Sequence, residues 1–229
     1  MNLIQDFISL FFPRTCYACG NNLFQNEKII CTSCLLHLPK TNFHKIADNP
    51  VSKVFWGRVN LVAATSMYFY RKGGKVQHLI HQLKYKGHKE IGVLLGEIYG
   101  SQLKETEIFK DIDLIIPIPL HQSKQKIRGF NQAETFARGL AESMQKKMDN
   151  TSLVRQIATS TQTKKTRYKR WENVSDIFRL EIPENINDKH ILVVDDVITT
   201  GATMEAFIQT IQTATNVKVS AASIAFASN

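Results

Sequence analysis

A short stretch in the C-terminal part of the chain decides the fold: residues 191–203 read ILVVDDVITTGAT. The four apolar residues 191–194 predict a buried strand, two adjacent aspartates stand at its end, and small residues then form a turn that enters a helix. The first turn of a helix has unpaired backbone N–H groups at the positive end of the dipole, so this turn is an anion site. Gly201 permits close backbone approach, and the threonines add hydroxyl donors.

The two aspartates, Asp195 and Asp196, have a different role, because carboxylates repel a phosphate. They suit the vicinal hydroxyls of a ribose, or Mg²⁺ bound through water. A ribose 5-phosphate that bears a metal-chelating leaving group contains all of these elements. Two other interpretations are an ordinary strand–turn–helix with acidic capping and a phospho-acceptor pocket. The Thr-Thr-Gly-Ala-Thr run at 199–203 argues against the second.

Strand and helix patterns alternate around this stretch, from about residue 110 to the last residues. Together with a strand at 61–70, strands at 114–120 and 217–226 predict an α/β fold with a parallel, Rossmann-like sheet covered by helices on both faces. Polar, basic loops are expected at 122–128 and 158–170. In a doubly wound sheet, the loops that leave the carboxyl ends of strands converge over a ligand crevice.

A second motif, near the N-terminus, has two C-x-x-C pairs separated by eleven residues. Two such turns can present four thiolates tetrahedrally, which suits a structural Zn²⁺ site. The alternatives are two disulfides, four free thiols or a redox pair; a reducing compartment disfavours the first. We therefore predict two domains, a zinc module with an N-terminal helix at 1–60 and an α/β domain at 61–229. The predicted metal ligands are Cys16, Cys19, Cys31 and Cys34.

Length and composition leave several classes of partner open. The chain has 229 residues, of which 43% are hydrophobic and 21% charged, so it is not collagen-like, mucin-like or globally disordered. Its net charge is +9, and residues 121–179 hold 13 Lys and Arg against 5 Asp and Glu. A nucleic acid, a phosphorylated small molecule or an acidic membrane surface would each suit this charge.

No stretch is apolar enough to span a bilayer, which takes ~20 residues, and the N-terminus has no signal-peptide pattern. We expect a cytoplasmic protein. Residues 1–12 carry apolar side chains at helical spacing, which predicts a short helix packed on the next module; a helix on a membrane surface is the alternative.

The 191–203 stretch resembles the loop that binds 5-phosphoribosyl 1-diphosphate (PRPP) in type I phosphoribosyltransferases. That resemblance implies that Asp195 and Asp196, the candidate catalytic residues, contact the ribose 2′- and 3′-hydroxyls. The following loop would cradle the 5′-phosphate through Thr199, Thr200, Gly201, Ala202 and Thr203.

Further blocks resemble the ComF family, which joins a four-cysteine zinc module to a phosphoribosyltransferase fold. They are Leu-Lys-Tyr-Lys-Gly at 83–87, Ile-Pro-Ile-Pro-Leu-His at 116–121, Arg-Gly-Phe-Asn-Gln at 128–132, and Gln-Thr-Lys-Lys-Thr-Arg at 162–167. By position, the loop after the 114–120 strand corresponds to the pyrophosphate loop, and 158–170 to the flexible loop that closes over substrate. The resulting pyrophosphate-binding candidates are Arg128, Gly129, Asn131, Arg167, Arg170 and Lys84; Lys84 could instead complement a helix dipole.

The resemblance implies a Mg²⁺-dependent phosphoribosyltransferase that binds PRPP or ribose 5-phosphate, and it does not indicate the acceptor. The best-known association of the ComF family is DNA uptake in natural transformation. Two alternatives therefore stand beside the enzyme. One is a PRPP-regulated protein that binds single-stranded DNA through its basic stretch, residues 121–179. The other is an adaptor whose zinc module docks a partner such as a competence helicase.

Overall fold

The computed structural model describes residues 13–156 and 177–227. The predicted N-terminal helix at 1–12 and the predicted flexible loop at 158–170, with Arg167 and Arg170, lie outside the described residues. The helices are α1 (Thr32–His37), α2 (Pro50–Lys53), α3 (Lys75–Tyr85), α4 (Lys89–Leu103), α5 (Gln122–Arg128), α6 (Gln132–Met144) and α7 (Ala202–Ile211). The strands are β1 (Ala63–Phe69), β2 (Leu114–Pro117), β3 (Lys147–Met148), β4 (Leu153–Arg155), β5 (Phe178–Leu180), β6 (His190–Ile198) and β7 (Lys218–Phe226).

Five strands form the central sheet in the order β1-β7-β6-β2-β3. Every neighbouring pair in this sheet is parallel. The remaining strands, β4 and β5, form a separate antiparallel pair. The predicted α/β class with a parallel sheet is confirmed.

Strand β6 shows how the sheet separates two cores. Ile191 and Val193 face one side, where they share a core with Phe207 of α7. Leu192 and Val194 face the other side, where α3, α4 and α6 pack. All four strand residues are fully buried, and each contributes roughly 1.5–3 kcal/mol through removal from water. The apolar run therefore buries both faces of the strand, as expected for a parallel sheet covered on both sides.

The structure corrects the expectation of a basic loop at 122–128, because this segment is helix α5. The ring of His121 accepts a hydrogen bond from the backbone N–H of Ser123, and Gly129 ends the helix at a φ of 75°. Glutamine, lysine and arginine all favour helix. The helix buries no residue, so no apolar periodicity marked it in the sequence.

The division at residue 60 stays a proposal. Residues 40–55 lie against the first strand of the sheet: Lys40 bridges to Tyr68, and the Asn49 side chain donates to the carbonyl of Ala64 at 2.8 Å. Phe55 is buried in the same core as α7. This segment therefore provides a wall behind the loop that precedes α7.

Candidate functional site

The two aspartates lie on β6, just past the point where its neighbour β2 ends. The last pair between these strands is Pro117 with Val194, whereas pairing with β7 continues to Ile198. The sequence pattern predicted the acids at the end of the strand. In the structure β6 continues past them, and there it pairs only with β7. Consecutive strand residues point to opposite faces, so the side chains of Asp195 and Asp196 project from opposite faces of the sheet.

A lysine faces the second acid. Lys84, in the last turn of α3, places its Nζ 2.8 Å from Oδ1 of Asp196, and both side chains are largely buried. The sequence singled out each residue for a separate reason, and the structure brings them together. A cation is therefore already in place at one carboxylate of the pair.

The first acid has an unusual proton affinity. Burial and the adjacent Asp196 carboxylate raise the pKa of Asp195 to about 7, against the opposing effects of the Asp196 N–H, Lys84 and Arg155. That N–H donates to Oδ1 of Asp195 at 2.7 Å. Near neutral pH this carboxyl group can therefore exchange a proton, and a cation bound nearby would favour its charged form.

Arg155 is a site residue that the sequence analysis missed. It ends β4, and its guanidinium lies 5.3 Å from the centre of the Phe178 ring on the paired strand β5. Its charge favours the ionised form of Asp195. The sequence offered one indication of this role, because Arg155 directly follows two apolar strand residues, Leu153 and Val154.

The turn after β6 has the form expected of an anion site. Gly201 is the N-cap of α7 at a φ of 75°, and no side chain caps this helix. A Cβ atom at Gly201 would lie 2.7 Å from Val54 Cγ1 and 2.9 Å from Phe55 Cε1, so glycine is required here. Around the buried glycine, the predicted phosphate ligands Thr199, Thr200, Ala202 and Thr203 are exposed.

A cavity of about 420 Å³ lies between α3 and the end of β6. Asp196, Thr199 and Lys84 line it together with the aromatic rings of Tyr70, His81 and Tyr85. Asp196 and the first residue of the predicted phosphate loop, Thr199, therefore share one opening with helix α3, and Asp195 is adjacent to Asp196 on β6. The volume lies within the range of small-molecule sites.

The described pyrophosphate candidates lie next to this opening or support it. Arg128 stacks over the Tyr85 ring at 5.3 Å and donates to Gln132 at 2.8 Å. Gly129 is the left-handed residue between α5 and α6. Asn131 caps α6, accepting from Ala133 and donating to the carbonyl of Ile118. Both polar ends of the Asn131 side chain are therefore engaged in holding the loop.

The four cysteines form a cluster well suited to a metal ion. Their sulfur atoms all lie within 4.8 Å of one another, and those of Cys19 and Cys31 are 3.8 Å apart. With Zn–S bonds of about 2.3 Å, a tetrahedral site places its sulfurs roughly 3.8 Å apart. No disulfide joins any two of these four cysteines, so the disulfide alternative does not describe this structure. The cluster could bind a metal such as zinc.

Backbone amides favour thiolate at one of these sulfurs. Burial raises the pKa of Cys16, but the N–H groups of Cys31, Cys19 and Ala18 lower it to about 7. The amide nitrogen of Cys31 lies 3.2 Å from the Cys16 sulfur. Burial and the neighbouring sulfurs raise the pKa of Cys34. A metal ion would supply the positive charge that allows all four thiolates to form together.

The cysteine cluster also contacts the helix that carries Lys84. The carbonyl of Ala18, between the first two cysteines, lies 3.2 Å from Nδ1 of His78 on α3. The Tyr17 ring packs against His88, just before α4, with 4.0 Å between ring centroids. The cluster therefore supports α3 at one end, while Lys84 at the other end faces the acid pair.

The parallel sheet and the turn before α7 define a protein with a phosphoribosyltransferase fold. In agreement, the family model described as the phosphoribosyl transferase domain matches residues 131–227. The DNA utilization protein YhgH of Escherichia coli is 30% identical over 189 residues, which are 81% of this chain and 78% of that protein. The chain therefore belongs to the ComF family, which includes YhgH.

Two competence proteins are also similar. Competence protein F of Haemophilus influenzae is 33% identical over 102 residues, which are 44% of each chain. Competence protein ComFC of Bacillus subtilis is 25% identical over 191 residues, covering 83% of this chain and 75% of that protein. The names of these three relatives refer to DNA utilization and to competence. Within the described ranges, no helix is both long and apolar enough to cross a membrane.

Proposed function

We propose that this chain binds PRPP together with Mg²⁺ at the opening beside Asp195 and Asp196. The observation that carries the proposal is a cavity lined by Asp196, its facing cation Lys84 and Thr199, where the chain enters the turn that leads to the uncapped N-terminus of α7. The acids would bind the ribose hydroxyls, and the turn at 199–203 would hold the 5′-phosphate. The 420 Å³ cavity is large enough for a sugar phosphate.

Transfer of the phosphoribosyl group to an acceptor is the reaction that this arrangement would support. Breaking the bond between the anomeric carbon and diphosphate leaves positive charge on the sugar and negative charge on the leaving group. Asp195 and Asp196 would offset the first charge, and Lys84 and Arg128 the second. No residue needs to act as a nucleophile.

Magnesium would neutralise the diphosphate of the bound substrate. Carboxylate oxygens and phosphates are its usual ligands, so the donor set of the acid pair fits this ion. Asp196 is already paired with Lys84 at 2.8 Å, so a ligand must share that carboxylate with the lysine or displace it. Asp195, with its raised pKa, would release its proton as the metal–substrate complex arrives.

Calorimetric titration with PRPP and with ribose 5-phosphate, each with and without Mg²⁺, tests this proposal. We expect PRPP to bind more tightly with Mg²⁺ than without it, and to raise the melting temperature accordingly. Binding that leads to turnover would release pyrophosphate when nucleobases or small amines are added. Absence of binding to either sugar phosphate would refute the proposal.

A second candidate function, contact with single-stranded DNA, is favoured by helix α5. This helix carries Lys124, Lys126 and Arg128, buries none of its residues and lies beside the proposed site. The name of the Escherichia coli relative refers to DNA utilization. PRPP would then act as substrate or as regulator of a DNA-associated protein.

A cytoplasmic location also stays a prediction.

Replacing Lys124 and Lys126 by alanine is expected to weaken retardation of single-stranded DNA in low-salt gels. If each lysine contacts one phosphate, the slope of log K against log salt concentration falls by about 0.7 per lysine. The control is the Lys104→Ala, Lys110→Ala variant, which removes two exposed lysines outside the basic stretch. Equal retardation of both variants, or none of the wild type, would contradict a DNA role for α5.

A further inference from the structure

Arg58 lies outside every motif of the sequence analysis, in the turn that follows α2, yet it contacts the loop before α7. Its Nη1 donates to the carbonyl of Thr200 at 2.8 Å and to that of Val54 at 3.0 Å. Its Nη2 pairs with the carboxylate of Glu205 in the first turn of α7. One guanidinium group thus joins both sides of the N-cap, Gly201, to the segment behind it.

The segment that carries Arg58 is itself fixed. Phe55 is 1% exposed, and its carbonyl accepts a hydrogen bond from the Arg58 backbone N–H at 3.0 Å. Val54 and Phe55 pack directly beneath Gly201, where a methyl group would not fit. The guanidinium therefore extends from a rigid wall, and the loop is held by packing from below and by hydrogen bonds from the side.

The bond to Thr200 sets the direction of a peptide group in the proposed phosphate loop. In a trans peptide the C=O and the following N–H point in opposite directions. Because the Thr200 carbonyl accepts from Arg58, the N–H of Gly201 is turned away from Arg58. That N–H belongs to the loop proposed to hold the 5′-phosphate, so Arg58 fixes its orientation before a ligand arrives.

The pair with Glu205 removes an electrostatic conflict. An acidic residue in the first turn favours the helix dipole but repels a phosphate bound at the same helix end. The Glu205 side chain is 20% exposed, and Arg58 neutralises it at short range. Without the guanidinium, an unpaired carboxylate would remain beside the anion site.

We propose that Arg58 is a positioning residue for the 5′-phosphate loop, acting through the Thr200 carbonyl and the Glu205 carboxylate rather than by touching substrate. This inference rests on the proposed PRPP site. It predicts that Arg58 affects ligands that carry a 5′-phosphate and does not affect magnesium pyrophosphate, which lacks one. It also predicts that part of its effect depends on Glu205.

The test is calorimetry with ribose 5-phosphate and with magnesium pyrophosphate on wild type, Arg58→Gln, Glu205→Gln and the double variant. Losing a charge-assisted hydrogen bond and a neutralising partner should lower the affinity of Arg58→Gln for ribose 5-phosphate by about tenfold or more. Affinity for magnesium pyrophosphate should stay within about twofold of wild type. The double variant should recover part of the loss, because the repelling carboxylate is gone.

The matched control is Arg138→Gln, which removes an exposed Arg–Glu pair on α6 and should bind both ligands as the wild type does. Unchanged ribose 5-phosphate binding by Arg58→Gln would overturn the inference. So would an equal loss of both ligands, or no recovery in the double variant, because these outcomes indicate general damage. If the wild type itself binds no ribose 5-phosphate, the proposed function fails, and the role of Arg58 fails with it.

Discussion

Replacing Asp195 and Asp196 together by asparagine is expected to abolish measurable PRPP binding in the presence of Mg²⁺. Each carboxylate is proposed to accept a hydrogen bond from a ribose hydroxyl, and hydrogen bonds to charged groups are worth roughly 1.5–3 kcal/mol. Loss of both therefore weakens binding by at least about a hundredfold, before any loss of metal affinity is added. Isothermal titration against wild type measures the effect.

Stability measurements show whether loss of binding reflects unfolding. Burial raises the pKa of Asp195 to about 7, above its unfolded value of 3.8. The resulting stabilisation is complete below about pH 4 and is lost as the pH rises through 7. Asp195→Asn cannot ionise, so at pH 8 and without ligand it should melt at a higher temperature than wild type. Asp196→Asn leaves Lys84 without its partner and should melt at a slightly lower temperature.

The control for the acid pair is Glu142→Gln, which changes an exposed acid on α6 by the same chemistry and should bind PRPP as the wild type does. A double aspartate variant that stays folded and still binds PRPP with near wild-type affinity would contradict the proposed role. A drop in the melting temperature of Asp195→Asn at pH 8 would contradict the buried-charge explanation.

The part of the site that could be predicted from sequence is the part that is local in the chain. Strand β6, the acids, Gly201 and the start of α7 follow one another, and their residue types alone specify a strand, a turn and an uncapped helix end. The cysteine cluster was predictable for a similar reason. Each C-x-x-C turn already holds two cysteines close together, so the cluster forms once the two turns come into contact.

The contacts that complete the site join residues far apart in sequence. Arg58 and Thr200 are 142 positions apart, and no pattern near Arg58 marks it as a partner. The sequence marked Lys84 as a pyrophosphate candidate or as a cation at a helix end, but its pairing with Asp196 depends on how α3 packs against β6. Helix α5 was missed because a helix without buried residues has no apolar face that periodicity could reveal.

We expect that the cysteine cluster holds a structural zinc ion, and that removing this ion has the largest effect on stability. Structural zinc contributes ~10–16 kcal/mol in small modules that cannot build a core alone. Here Cys16 and Cys34 are each 1% exposed and belong to the core that also contains α3, so charged thiolates left without a metal would destabilise that core. A chelator should release one zinc ion per chain, measured with a metal-binding dye, and should lower the melting temperature markedly.

The effect should also reach the acid pair, because the carbonyl of Ala18 contacts His78 on the helix that positions Lys84. Cys34→Ser should therefore lose zinc and bind PRPP more weakly, whereas Ser33→Ala, an exposed neighbour, should keep both properties. Zinc added back after chelation should restore the melting temperature and the PRPP affinity together. A protein that purifies without metal, or that keeps its stability after chelation, would contradict a structural zinc site. Restored stability without restored affinity would show that the cluster does not influence the site through α3.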